Sequence, residues 1–98
     1  MRQLTISGKP HDLQETAATP DAQFPSMFVL NERYYRDGQA IQIEWAVYVP
    51  RHKTAFVQKM VEKGYTVMVV ASDFGIRIHG AEQALSENWL VLSDLLIP

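Results

Sequence analysis

The segment 31–45, NERYYRDGQAIQIEW, concentrates side chains that can hold a flat, negatively charged ligand. Tyr34 and Tyr35 stand between Arg33 and Arg36. Tyrosine rings stack on planar groups, and guanidinium groups bind phosphate through paired, charge-assisted hydrogen bonds. The alternative is that a tyrosine packs across to a partner strand while the arginines only keep the surface soluble.

A β-hairpin would position these side chains. Asp37-Gly38 predicts a tight turn, because glycine tolerates the positive φ that such a turn needs. The segment 40–49, AIQIEWAVYV, alternates as a strand does. Its two faces are predicted to carry Ile41, Ile43, Trp45, Val47 and Val49 on one side, and Gln42, Glu44, Ala46 and Tyr48 on the other.

The remaining elements predict one small β domain over residues 1–98. A short strand over 3–8 precedes a long loop or loose ribbon over 9–25, and a second strand starts at Ser26. After the strand 40–49, apolar residues at helical spacing predict a helix of about three turns ending near Gly64. Three further strands follow. An all-β chain with one short helix between strands 3 and 4 is the order of a five-stranded OB-fold barrel.

Composition excludes several classes of protein. The chain has 98 residues, a net charge of −2 and no cysteine, so disulfides and thiolate metal sites are excluded and a polyanion could bind only to a local basic patch. No apolar run is typical of a signal peptide or a membrane helix, so we expect a cytoplasmic protein. His11, His52 and His79 lack metal-ligand spacing, and no phosphate-binding glycine loop is present. The sequence therefore predicts neither a metal, nor a cofactor, nor an enzyme.

The order of short motifs resembles a known family. The segments LTISGK, FVLNERYYRD and IEW, followed by a helix that ends in KGYTVMVVAS, are similar to the bacterial single-stranded-DNA-binding proteins and their relative, primosomal replication protein N. Tyr35-Arg36-Asp37 stands where that family has a Trp-Arg-Asp-like segment. Glu44-Trp45 matches its Glu-Trp, and Lys63-Gly64 matches its helix end. Family members continue into a flexible linker with an acidic tip, whereas this sequence stops at SDLLIP.

The resemblance implies an OB-fold that binds single-stranded DNA without sequence preference in replication, recombination or restart. We also expect a homodimer or homotetramer, because small OB-folds tend to bury an apolar strand face, here the Ile/Trp/Val face of 41–49, on a partner. Replication or recombination proteins are expected as further partners. The alternative is a protein-binding OB module, an accessory subunit or an inhibitor, that does not bind nucleic acid itself.

Nine residues are the candidates for contact with nucleic acid. They are Arg33, Tyr34, Tyr35, Arg36, Trp45, Tyr48, Arg51, Lys53 and Arg77. The resemblance makes Trp45 a base-stacking residue, whereas its apolar neighbours on the strand favour the core, in which case Tyr48 would take its place. Arg51 and Lys53 form either a solvated turn or a phosphate contact, and Arg77 lies on a strand expected to border the binding groove.

Overall fold

The computed structural model describes residues 2–16, 23–79 and 85–98. Within them the chain forms eight strands, one α-helix and a single 3₁₀ turn. The strands are Leu4–Gly8 (β1), Pro10–Glu15 (β2), Ser26–Arg36 (β3), Gln39–Val49 (β4), Val67–Ala71 (β5), Asp73–His79 (β6), Leu85–Val91 (β7) and Asp94–Leu96 (β8). The 3₁₀ turn Arg51–Lys53 leads directly into α1, Thr54–Lys63.

The predicted hairpin is formed by β3 and β4. The two strands pair in an uninterrupted antiparallel register, from Ser26 opposite Val49 to Arg36 opposite Gln39. The turn has φ of 52° at Asp37 and 80° at Gly38, so both central residues are left-handed as a two-residue hairpin turn requires. The Asp37-Gly38 prediction is confirmed.

The strands form two sheets. One has the order β1-β5-β8 and the other β2-β3-β4-β7-β6, in which β4 and β7 are parallel. Lys9 alone separates β1 from β2, and Ser72 alone separates β5 from β6. The mostly β chain with one short helix is thus confirmed. The ladders, however, are not closed into the expected five-stranded barrel, because the chain leaves one sheet for the other at these bends.

β2 lies in the segment for which the sequence predicts a long loop or a loose ribbon. Pro10–Glu15 forms an irregular strand rather than a loop: its register with β3 shifts between His11 and Gln14, and Asp12 has a φ of 55°. A bulge of this kind breaks the period of two by which a strand is recognised. Proline is compatible with the first position of an edge strand, where no ladder hydrogen bond from its nitrogen is needed.

The helix α1 follows β4 and contributes the buried side chains of Val57 and Met60 to the core. It begins at Thr54, and Lys53 occupies the N-cap position. Gly64 ends it with a φ of 71°, the left-handed conformation common at helix ends. No helix among the described residues is long and apolar enough to cross a membrane.

The core lies between the two sheets and α1. Its fully or nearly fully buried residues from the strands and their connections are Ile6, Phe28, Leu30, Trp45, Val47, Val49, Val67, Val69, Ala71, Leu90, Leu92 and Leu95. Each fully buried side chain of this size stabilises the fold by about 1.5–3 kcal/mol. The opposite face of the five-stranded sheet is left for other contacts.

Candidate nucleic-acid interface

The two faces of β4 have different environments. Trp45, Val47 and Val49 are buried in the core, whereas Tyr48 on the other face is only half-buried. In the ladders, Tyr48 lies opposite Met27 of β3 and Val91 of β7. The face that carries Tyr48, called the outer face below, is therefore the one available to a ligand.

Trp45 belongs to the core in this structure. Only 9% of its surface is exposed, and its indole Nε1 lies 3.4 Å from Glu32 Oε1, to which it donates. To stack on a base the side chain would have to leave its packing position. Between the two interpretations of Trp45 the structure favours packing, and it places Tyr48, which is half-buried, on the outer face instead.

An open cleft lies on the outer face. Its volume is about 290 Å³ and it is lined by Phe24, Tyr48, Asp73, Trp89 and Val91. The Tyr48 hydroxyl donates a hydrogen bond to Glu87 Oε1 at 3.2 Å. Because this bond anchors the tip of the ring to β7, the tyrosine face is held in place before any ligand arrives. We call this site the aromatic cleft.

Trp89 is a residue of the cleft that is not among the nine candidates drawn from the sequence. It pairs with Gly75 of β6, and a Cβ atom built on that glycine would lie 3.1 Å from Trp89 Cζ2. The absence of a side chain at Gly75 thus lets the indole lie close against the neighbouring strand. The signal in the sequence was the alternation with Leu90, which is fully buried and points Trp89 to the other face.

Phe24 was missed altogether. It precedes β3 in a stretch without periodicity, and it lines both the aromatic cleft and an adjoining groove. No local pattern in the sequence indicates such a position, because only the path of the chain before β3 brings the ring to the outer face.

The adjoining groove carries basic side chains. It has a volume of about 660 Å³, shares Phe24, Asp73 and Val91 with the aromatic cleft, and is also lined by Gln23, Pro50, Arg51 and His52. The structure thus brings Arg51 next to the aromatic side chains. Lys53 lies elsewhere: its Nζ is 3.8 Å from Asp94 Oδ1, with which it forms an ion pair.

The hairpin tip presents aromatic and basic residues on both of its faces. Arg33 and Tyr35 lie opposite Gln42 and Ala40 on the outer face, while Tyr34 and Arg36 lie on the other. Tyr35 is 71% exposed. The eight residue steps along β4 from Ala40 to Tyr48 place the tip about 26 Å from the aromatic cleft, measured along the strand. The tip and the cleft are therefore two separate parts of one face.

Arg77 pairs with Glu87 through the backbone of β6 and β7, two positions beyond Gly75. Only the backbone of Arg77 belongs to the described part of the structure. In the part of the chain that is described, no group of three or more His, Cys, Asp or Glu side chains could hold a metal ion.

Solved structures share this arrangement of elements. A small single-stranded DNA-binding protein from Mycoplasma pneumoniae aligns over 100% of this chain and 94% of its own, with a TM-score of 0.69 and 6% identity. Mitochondrial single-stranded DNA-binding protein Rim1 from S. cerevisiae aligns over 96% and 91%, with a TM-score of 0.64 and 20% identity. The Plasmodium falciparum single-stranded DNA-binding protein, solved with single-stranded DNA, aligns over 100% and 95%, with a TM-score of 0.64 and 18% identity.

No protein-family model and no curated protein matches the sequence. At such low identities the similarity is one of fold. The chain has the fold of single-stranded DNA-binding proteins, an OB-fold. The resemblance indicated by the order of its motifs is confirmed at that level.

Proposed function

We propose that this protein binds single-stranded DNA, without catalysis, along the outer face of its five-stranded sheet. One observation carries the proposal: Phe24, Tyr48 and Trp89, from three separate parts of the chain, line a single open cleft. Aromatic faces gathered at an accessible site suit the stacking of unpaired bases. The structural similarity to single-stranded DNA-binding proteins supports the same activity.

In this proposal, base stacking and phosphate contacts both contribute to binding. Each stacked base contributes about 1–3 kcal/mol whatever its identity, because every base has a π-face. Arg51 in the adjoining groove supplies a cation beside the stacked bases, and Arg33 supplies another on the outer face of the hairpin tip, while Arg36 lies on the opposite face of the tip. Because the net charge is −2, attraction for the phosphates depends on these local cations.

We further propose that the strands correspond to the five of an OB barrel. The single-residue bends at Lys9 and Ser72 support treating β1 with β2, and β5 with β6, as two bent strands. The parallel pairing of β4 with β7 supports taking β4 as the third strand of such a barrel and β7 as the fifth, and α1 would then lie between the third and fourth strands.

The biological setting that we propose is replication, recombination or restart in the cytoplasm, as a homodimer or homotetramer. The sequence-based reason for an oligomer, the apolar face of 41–49, has its residues Trp45, Val47 and Val49 buried within the chain itself. Support comes instead from β1, which is an edge strand of the three-stranded sheet. The backbone groups along an edge strand can pair with a strand of a second copy.

A protein-binding role is the second candidate. Exposed apolar side chains outside the aromatic cleft favour it: Phe56 on α1, Tyr65 after it, and Leu96 and Ile97 at the end of the chain. A pull-down in which a stoichiometric protein partner survives nuclease and high salt would support this function. Under it, the purified chain would not bind oligonucleotides.

The test of the leading proposal is a fluorescence polarisation titration with labelled oligo-dT at two salt concentrations. We expect binding that weakens with salt, with a log-log slope of about −0.7 for each phosphate neutralised. Folded protein that leaves the oligonucleotide unbound at low salt would refute the proposal.

A further inference from the structure

The aromatic cleft contains one acidic residue, Asp73, which stacking on bases does not require. Asp73 is the first residue of β6 and is exposed to solvent. Its carboxylate makes no hydrogen bond or ion pair with any other described residue. A negative charge beside a phosphate path weakens the binding of every oligonucleotide, so its presence here calls for a chemical reason.

The register of the sheet defines where this carboxylate stands. Asp73 lies opposite Val91 in the β6–β7 ladder, and Val91 lies opposite Tyr48 in the β7–β4 ladder. Two strand spacings separate Tyr48 from Asp73, about 10 Å between their backbones. Val91 forms the floor between them, and Trp89 flanks that floor two residues earlier on β7. A base held by the aromatic rings over Val91 therefore presents one of its edges to the carboxylate.

We propose that Asp73 makes the aromatic cleft a subsite that prefers guanine. This inference rests on the proposed function and concerns one position along an otherwise sequence-tolerant path. An ionised carboxylate only accepts hydrogen bonds, and its two oxygens accept two neighbouring donors best. Guanine offers such a pair on its Watson–Crick edge, the ring N1–H and the exocyclic amino group.

The other bases fit less well. Cytosine and adenine place a ring nitrogen acceptor next to their amino group, so one carboxylate oxygen faces a lone pair. Thymine has a single N–H between two carbonyl oxygens. A good bidentate contact discriminates between bases by about 1–3 kcal/mol. Since the cleft is open to solvent, which weakens charged hydrogen bonds, we expect the low end of that range, on the order of tenfold in affinity.

The test compares short labelled oligonucleotides that are all thymine except for one central base. That base is thymine, guanine or hypoxanthine, which keeps the N1–H of guanine but lacks its amino group. We expect the wild-type protein to bind the guanine oligonucleotide on the order of tenfold more tightly than the thymine one, with hypoxanthine losing most of the gain.

The variant Asp73→Asn separates recognition from damage to the fold. Its amide presents one acceptor and one donor, so we expect the guanine preference to disappear while the all-thymine oligonucleotide binds equally well or more tightly. Glu62→Gln, the same change of charge on the exposed face of α1, is the matched control and should keep the preference.

The outcomes distinguish this inference from the proposed function. A wild-type protein that binds oligo-dT but treats the three central bases alike refutes the role of Asp73 and leaves the proposed function standing. Retention of the guanine preference by Asp73→Asn also refutes it. Failure to bind any of the oligonucleotides refutes both.

Discussion

The two tryptophans, Trp45 and Trp89, should behave in opposite ways when the protein binds DNA. Trp45 is packed in the core, whereas Trp89 is half-exposed in the aromatic cleft. In Trp45→Phe the only indole left is the one in the cleft, and we expect oligo-dT to quench its fluorescence by stacking. In Trp89→Phe the remaining indole is buried, and its emission should change little.

The magnitudes also differ. A buried tryptophan removes about 150–250 Å² from water, which at about 25 cal/mol per Å² stabilises the fold by about 4–6 kcal/mol. Since Trp45 is 9% exposed, Trp45→Ala should lose nearly all of this, close to the 3–5 kcal/mol typical of such truncations. That is a large part of the 5–15 kcal/mol by which domains are usually stable. Trp89→Ala should instead lose about 1–3 kcal/mol of binding, the contribution of one stacked base.

Urea unfolding and polarisation titrations with oligo-dT measure the two effects separately. Trp45→Phe keeps an aromatic ring in the core, so it provides folded protein even if Trp45→Ala does not fold. Strong quenching of Trp45 in the Trp89→Phe variant, together with unchanged stability of Trp45→Ala, would refute the assignment of Trp45 to the core and of Trp89 to the cleft.

Three further predictions concern the hairpin and the cleft. If the Arg33 side chain neutralises one phosphate, Arg33→Gln should make the log-log salt slope of oligo-dT binding shallower by about 0.7. Lys59→Gln on α1 is the control and should leave the slope unchanged. Titrations over a series of salt concentrations measure both slopes. Gly75→Ala should push the Trp89 indole away from β6, since the new methyl group would lie 3.1 Å from Trp89 Cζ2. The free energy of oligo-dT binding should then fall by up to the roughly 1–3 kcal/mol contributed by one stacked base. An unaltered affinity would contradict the placement of that ring. Gly38→Ala should lower the free energy of unfolding in urea by about 1–2 kcal/mol, because Gly38 has a φ of +80°, which alanine adopts only with strain. No atom lies within 4 Å of the new Cβ, so the effect would come from the backbone alone. A stability equal to that of the wild type would show that the turn adapts.

Local signals in the sequence predicted the elements whose conformation depends on neighbouring residues. Asp37-Gly38 predicted the hairpin because few residues tolerate positive φ at both positions of the turn. The alternation along 40–49 separated the two faces of β4 correctly, since side chains of a strand point to opposite sides in turn. β2 escaped prediction because its bulge at Asp12 interrupts that alternation.

The direction in which each face points was not contained in the local pattern. The same alternation is compatible with Trp45 outward and Tyr48 inward, or with the reverse, and the two arrangements imply different binding residues. Packing decided between them, because Leu30, Val47 and Leu90 close one side of the sheet and bury Trp45 there. Trp45 is therefore buried, and Tyr48 lies half-buried on the opposite face.

By itself, the sequence determined the mostly β domain, its aromatic and basic hairpin, and the resemblance to single-stranded-DNA-binding proteins. Each depends on residue types within a short segment or on the order of such segments. The tertiary structure alone assembled the aromatic cleft, since Phe24, Tyr48, Asp73 and Trp89 come from four separate segments. Their meeting depends on the pairing of β4 with β7 and of β7 with β6. Such pairing between distant strands is set by the packing of the whole core, which no local pattern of residues records.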